Sequence, residues 1–366
     1  MSHWPEERAV VYCQGAFTTT NGKTAHGLVR RCERYTVASL IDAAYSGRDA
    51  GEVLDGHGCG IPVVGSLTEA LEGAADQGLP LTHFIMGLAP DGGRLPFAAR
   101  ADVAAALRSG LHVVSGLHDF LGEDPELAAL AAEHGVTIAD IRRPPDREDL
   151  HFFTGVIEKV KSLKVAVLGT DSAVGKRTTA WLLVDALRAS GRRTELIGTG
   201  QTAWLQGARY SMVLDSLIND FVAGEIEHAV WTAWQEQQPD VIVLEGQGSL
   251  MNPAYPGGFE LLAAGRPDVV LMQHAPRRME YDGFPGHVLH DLPTQIKAVE
   301  LIGGRPVVAV TVNHEDMETA EIPAACAAIT AETGLPACDV LVDGAGPLLT
   351  ILEEHLAAAD LRRVAG

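Results

Sequence analysis

One stretch, Lys164-Val-Ala-Val-Leu-Gly-Thr-Asp-Ser-Ala-Val-Gly-Lys-Arg-Thr-Thr179, narrows the choice of folds more than any other. Val165 to Leu168 is a short apolar run, the pattern of a strand buried on both faces of a parallel sheet. It stops at Gly169, Gly175-Lys176 follows after five residues, and Arg177 to Ala189 shows helical spacing. Strand, glycine loop and helix in that order form a phosphate cradle. Backbone N–H groups and the positive helix N-terminus face an anion, and the lysine adds a point charge.

The spacing departs from the usual nucleotide-hydrolase loop, which has four residues between its first glycine and Gly-Lys. Here four residues fit only when counted from Thr170, which is not glycine. Such hydrolases also place Ser or Thr directly after the lysine to hold Mg²⁺. This chain has Arg177 there, with Thr178 and Thr179 one and two places late. Phosphate binding by Gly169, Thr170, Asp171, Gly175, Lys176, Arg177, Thr178 and Thr179 is therefore expected, and Mg-dependent hydrolysis is not.

A length of 366 residues provides for two domains with separate cores. The formal charge of −20 argues against a nucleic-acid partner, whose phosphates need a basic face. It leaves room for a small phosphate-bearing ligand, because local lysines and helix ends decide that. Five scattered cysteines without a CxxC pair fit a reducing compartment. Met1 to Arg8 lacks the apolar core of a signal peptide, and no run reaches transmembrane length. A cytoplasmic protein without a membrane partner is expected.

The first half alternates strands and helices. Strands are predicted at Ala9–Tyr12, Thr36–Ile41, Ile61–Val64, His83–Met86, Leu111–Val114 and Val136–Ile141. Helices are signalled by Ser66-x-x-Glu69 (a capping box), by Pro96 and by Asp124-Pro125. This rhythm means a doubly wound parallel sheet, a Rossmann-like domain over residues 1–150. Lys23 falls in a Gly/Thr/Asn-rich loop after the first strand, which gives it a phosphate-contacting reading beside that of a plain turn. Asp42, ending the second strand, stands where a Rossmann fold holds a ribose hydroxyl, although the upstream glycine fingerprint is missing. Arg142-Arg-Pro-Pro-Asp146 breaks the pattern and marks the boundary.

Residues 151–366 read as a P-loop-type α/β domain. Strands are expected at Thr194–Ile197, Val241–Leu244, Val269–Met272, Val307–Val312 and Cys338–Val342, with a loop at Gly198–Thr202 and a largely helical Leu214–Gln237. The buried strand Val241–Leu244 delivers Glu245-Gly-Gln-Gly-Ser249 at its carboxyl end, where P-loop folds place a carboxylate beside the phosphate loop. Such a group can ligate a metal or take a proton from a substrate amine. His287-x-x-His290-Asp291 has neither HExxH nor a cysteine partner, so no metal site is assigned.

Gly169-Thr-Asp-Ser-Ala-Val-Gly-Lys176 together with Glu245-Gly-Gln-Gly248 is similar to dethiobiotin synthetase. A closer match needs both halves: Gly22-Lys-Thr-Ala-His-Gly27, Ser115-Gly-Leu-His118, the loop with Thr178-Thr179, Glu245 to Ser249, and Pro253-Ala-Tyr255. In this order they resemble a two-domain P-loop family whose named members are bacterial D-glutamate N-acetyltransferases. That family also lacks Ser or Thr after the loop lysine; Ser172 stands where many relatives carry cysteine.

The resemblance implies acetyl transfer from acetyl-CoA to an acidic amino acid, with the P-loop holding the CoA pyrophosphate without Mg²⁺. Such chemistry needs a base for the amine, donors for the oxyanion and cations for substrate carboxylates. Glu245 and Asp220 are the candidate bases. Arg209, Arg277 and Arg278 are candidate carboxylate grips, and Gln201, Gln247 and Ser249 candidate orienters. The expected partners are small molecules and further copies of the chain. Two alternatives stay open: an ATP/Mg-dependent synthetase or kinase, with Glu245 on the metal, and a non-catalytic nucleotide sensor.

Overall fold

Short apolar runs, each closed by glycine or a polar turn, build two separate parallel sheets. The computed structural model describes residues 7–364, so Met1 to Glu6 of the leader reading lie outside the described residues. The chain divides into two compact units: Met1–Pro144 with Gln201–Gly207, and Pro145–Gly200 with Ala208–Gly366.

In the first unit the strands are β1 (Arg8–Tyr12), β2 (Thr36–Ile41), β3 (Val63–Val64), β4 (His83–Met86), β5 (His112–Ser115) and β6 (Ile138–Asp140). They lie in the order β3-β2-β1-β4-β5-β6, with every pair parallel. This is the doubly wound dinucleotide-fold order, with its switch between β1 and β4. Local signals place the helices. Asp124 accepts from the N–H groups of Glu126 and Leu127 at 3.0 and 3.2 Å, and Pro125 opens the helix Pro125–His134. Such a cap stabilises by about 1 kcal/mol. Ser66 caps Leu67–Asp76 through the Glu69 N–H, but Glu69 accepts from Gly65 N rather than Ser66 N, closing the box one residue early.

The second unit carries β7 (Leu163–Gly169), β8 (Thr194–Gly198), β9 (Tyr210–Ser211), β10 (Val241–Glu245), β11 (Val269–His274), β12 (Val307–Val312) and β13 (Ala337–Cys338). Their order is β13-β12-β11-β7-β10-β8-β9, again all parallel. β7 is buried along its whole length because β10 and β11 flank it on both sides. Chains diverge to opposite sides at this point, which opens the carboxyl end of β7 to a ligand.

Several expectations are corrected. Lys23 is not in a loop but is the exposed first residue of the helix Lys23–Arg30. The Ile61–Val64 strand shortens to β3 because Ile61 O accepts from Ala50 N, away from β2. The Cys338–Val342 strand ends at Cys338, where Asp339 O turns the chain by accepting from the N–H groups of Val342 and Asp343. Gly198–Thr202 is only partly a loop: Gln201–Gln206 is helical and belongs to the first unit. There Leu205 is fully buried in the core, Gln206 Nε2 donates to Gly27 O at 2.7 Å, and the Arg34 guanidinium lies 3.9 Å from the centre of the Trp204 ring.

The loop after β1 packs on the residue that follows β2. Phe17 is fully buried against His26 and Tyr45. Asp42, also fully buried, accepts from Phe17 N and Ala44 N, both at 3.1 Å. Its carboxylate caps backbone and is not presented to a ribose. No helix among the described residues is long and apolar enough to cross a membrane.

Candidate active site

The site in the second unit begins at the end of β7, where Gly169 must be glycine. A Cβ there would lie 2.8 Å from Val174 Cγ2 and 3.0 Å from Lys176 Cδ. The loop folds back through two residues of positive φ, Ala173 at 52° and Gly175 at 102°. Left-handed residues turn successive N–H groups into one concavity, an anion nest. The helix Lys176–Ala189 starts directly at its mouth.

Lys176 is buried and donates from Nζ to Asp171 O at 2.6 Å and to Gly248 O at 2.9 Å. The lysine thereby joins the loop after β7 to the Glu-Gly-Gln-Gly segment after β10. Asp171 is fully buried and uses both oxygens. Oδ1 accepts from Ser172 N (2.7 Å) and Asn252 Nδ2 (2.8 Å); Oδ2 accepts from Asp282 N (2.7 Å) and Arg278 Nη1 (3.1 Å). Arg278 also donates to Ser172 O at 2.7 Å and to Glu315 Oε2 at 2.5 Å. A second bracket holds the far side of the loop: Asn313 Nδ2 donates to Val174 O, and the hydroxyls of Thr179 and Thr311 both donate to Gln273 Oε1.

Glu245 ends β10 in a buried position, and its Oε2 has no hydrogen-bond partner among the described residues. A buried acceptor left open costs about 1–3 kcal/mol or more, so it calls for an explanation. Burial pushes its carboxyl above the usual carboxylate range, while Arg177 and Lys176 pull the other way. Its main-chain oxygen accepts from Thr199 Oγ1 at 2.8 Å, and Gln247 Nε2 donates to the same Thr199 through its carbonyl and hydroxyl. Gly246 and Gly248 permit this close packing, since a Cβ would meet Leu168 Cδ2 at 2.6 Å and Tyr255 O at 2.1 Å. Ser249, also buried, accepts from Asn252 N and so steadies the turn that carries Asn252.

Thus Gly169, Thr170, Asp171, Gly175, Lys176, Arg177, Thr178, Thr179, Glu245, Gln247 and Ser249 gather at the carboxyl ends of β7 and β10. The other sequence candidates lie elsewhere. Asp220 is exposed in the first turn of the helix Asn219–Gln237. Arg209 pairs at the surface with Glu236 at 2.8 Å, and Arg277 with Glu321 at 2.5 Å. Arg278, read as a substrate grip, is instead committed to Asp171. Gln201 lies in the first unit and accepts from Arg142 Nη2 at 3.0 Å. His290 bonds Tyr281 through Nδ1, and Asp291 caps the helix Leu292–Gly303. Sequence reasoning missed Asn252, Gln273, Asp282, Asn313 and Glu315. Asn252 had a signal in its place beside Pro253-Ala-Tyr255, and Gln273 and Asn313 in theirs directly after the predicted strands Val269–Met272 and Val307–Val312.

Residues 151–349 match the DUF1611 C-terminal P-loop domain, and residues 43–144 match the DUF1611 N-terminal Rossmann-like domain; both are described as domains of unknown function. A protein of Tritonibacter scottomollicae named D-glutamate N-acetyltransferase is 32% identical over 305 residues, covering 81% of this chain and 87% of its own. A Pseudoalteromonas protein of the same name is 31% identical over 276 residues, covering 74% and 80%. The crystal structure of a DUF1611 family protein from Anabaena variabilis superposes with a TM-score of 0.86 at 29% identity, covering 95% of this chain and 100% of that one. Sheet order, loop and similarity over most of the length agree: the chain belongs to the DUF1611 family, with its Rossmann-like and P-loop domains.

Proposed function

We propose that this protein is an N-acetyltransferase that moves the acetyl group of acetyl-CoA to the amine of an acidic amino acid of the D-glutamate type. The observation that carries the reading is Glu245, a buried carboxylate with one oxygen unpartnered among the described residues, beside the loop that follows β7. Two relatives named D-glutamate N-acetyltransferase support the reaction class.

The nest between Gly169 and Lys176 suits the CoA pyrophosphate, whose charge faces the N-terminus of the helix Lys176–Ala189. The hydroxyl that a nucleotide hydrolase uses for Mg²⁺ is replaced by Arg177, and the Thr179 hydroxyl donates to Gln273. Binding phosphate by charge and backbone alone fits a donor that is not cleaved at phosphorus. The substrate nitrogen attacks the thioester carbonyl carbon, the carbon–sulfur bond breaks, and the amine proton passes to Glu245. Glu245 then returns a proton to the departing thiolate, so the enzyme ends as it began. A carboxylate whose pKa burial raises is a better base for this than an exposed one.

The test follows free thiol and acetylated product by mass spectrometry with acetyl-CoA and D- or L-glutamate. Thiol release that depends on the amino acid is expected. Product that forms only with ATP and Mg²⁺, and without acetyl-CoA, would replace this reading by the synthetase one.

A further inference from the structure

Two loops of the second unit are tied to Asp171, at the first bend of the cradle, and each brings an aromatic ring to the surface beside it. The loop after β10 folds back on itself: Gly257 N donates to Ser249 O at 3.0 Å, and Ser249 forms a bridge with Pro256. Tyr255 thereby returns against Gly248, where a Cβ would lie 3.0 Å from Tyr255 Cβ and 2.1 Å from its carbonyl oxygen. Gly248 O accepts from Lys176 Nζ. Tyr255 is thus seated beside the peptide that holds the cradle lysine, in the loop that opens with Glu245.

The loop after β11 carries a short hairpin over residues 279–289, held by Tyr281 N to His287 O and Leu289 N to Met279 O, both at 2.9 Å. Two left-handed glycines, Gly283 at 78° and Gly286 at 86°, turn it. Asp282 ties it down: its N–H donates to Asp171, and its carboxylate accepts from Ser172 Oγ at 2.9 Å. Two residues on, the Phe284 ring lies 6.2 Å from that of Tyr255, centre to centre, and His287 continues the row 6.2 Å from Phe284. Tyr255 is 55% exposed and His287 is exposed, so the row is a wall open to solvent and not part of the core.

The ring planes of Tyr255 and Phe284 stand 67° apart, and those of Phe284 and His287 84°. Rings set edge to face leave no slot between parallel faces for a flat base. They make a corner with apolar sides, which suits a flexible, uncharged chain.

We infer that Tyr255 and Phe284 hold the pantetheine arm of the acyl donor, an inference that rests on the acetyl-CoA reading above. With the pyrophosphate in the nest and the thioester at Glu245, the stretch between them is that arm, and the loop that carries Glu245 presents Tyr255. The arm bears no charge and carries a gem-dimethyl group, so it gains by leaving water for the ring faces without an ion pair to satisfy. An acidic amino acid would gain nothing from these two rings.

Calorimetric titration of the full chain with CoA and with adenosine 3′-phosphate 5′-diphosphate, which is CoA without the arm, tests this. Tyr255→Ser and Phe284→Ser should each lower the affinity for CoA by about tenfold and leave that for the diphosphate as in the wild type. Tyr255→Phe should keep the wild-type affinity for both. Tyr255 is the more exposed of the two, so its variants keep the test valid if Phe284→Ser fails to fold. Unchanged CoA affinity in Tyr255→Ser would overturn the inference and spare the acetyl-CoA reading. So would an equal loss for CoA and the diphosphate, which would make the rings a platform for the base. CoA that fails to bind the wild-type chain up to about 10 mM would overturn both.

Discussion

Asp171 Oδ2 and Arg278 Nη1 lie 3.1 Å apart, and with the aspartate wholly buried this pair fixes the first bend of the phosphate loop. Arg278 comes from the segment after β11, so the loop is shaped by a charge more than a hundred residues away. Arg278→Met should leave Asp171 as a buried charge without its counterion. The expected loss is about 3–5 kcal/mol, the usual cost of breaking such a pair. Urea denaturation measures it; an unshifted midpoint would mean that Asn252 and the backbone N–H groups hold Asp171 unaided.

Lys176→Ala removes the cation of the cradle and the link between Asp171 O and Gly248 O. Affinity for CoA should fall by about ten- to a hundredfold, from about 1.5–3 kcal/mol of charge-assisted contact. Calorimetry with CoA decides this. Unchanged binding would take the loop out of the ligand site.

Glu245→Gln keeps the shape of the side chain but cannot accept the amine proton. Turnover should drop by about 10²–10⁴ with CoA affinity little altered. The wild-type rate should rise with pH through a range above that of ordinary carboxylates, because burial raises this pKa. Stability carries the opposite sign: the folded state holds the proton longer than the unfolded chain, so stability declines as pH rises from the ordinary carboxylate value to the raised one. A variant with near-normal turnover would end the base assignment.

Turnover should survive excess EDTA. The reason lies in the residues: Arg177 replaces the metal-binding hydroxyl, and the Thr179 hydroxyl is bonded to Gln273. Activity lost in EDTA and restored by Mg²⁺ would favour the synthetase.

His274, bonded through Nδ1 to Thr170 Oγ1, has its pKa pushed down to about 4, first by burial and then by the charge of Arg278. The unfolded chain takes up this proton near the ordinary imidazole value, the folded chain only near 4. Stability should therefore be full above the ordinary value and fall as the pH drops towards 4. Melting temperatures from pH 7 to 4 should decline less steeply in His274→Gln; parallel curves would assign the acid loss to other groups.

Local chemistry made much of this legible beforehand. Apolar runs gave β10 and β12 nearly to the residue and the middle of β7, since buried strands carry a strong signal. The cradle and Glu245 were legible for the same reason, being one step beyond such strands. What stayed hidden depends on long-range pairing. Arg278 looked like any surface arginine, and nothing near it in sequence names Asp171 as its partner. Asp42 stood at a ribose-binding position, but its use as a cap depends on Phe17 folding over it. Arg209 and Arg277 found acids 27 and 44 residues away, pairings no local pattern encodes.

The helix Gln201–Gln206 gives the gene an order that the fold does not share. A fragment ending at Pro144 would lack Leu205, Gln206 and Trp204, which fill the core beneath Cys32 and Arg34. On the ribosome the last helix of the first unit is therefore made only after β7 and β8 of the second. Neither half is a movable cassette: a recombination crossover at the proline-rich boundary would strand that helix with the wrong parent. Exchange between relatives should succeed only where residues 201–207 travel with the N-terminal part.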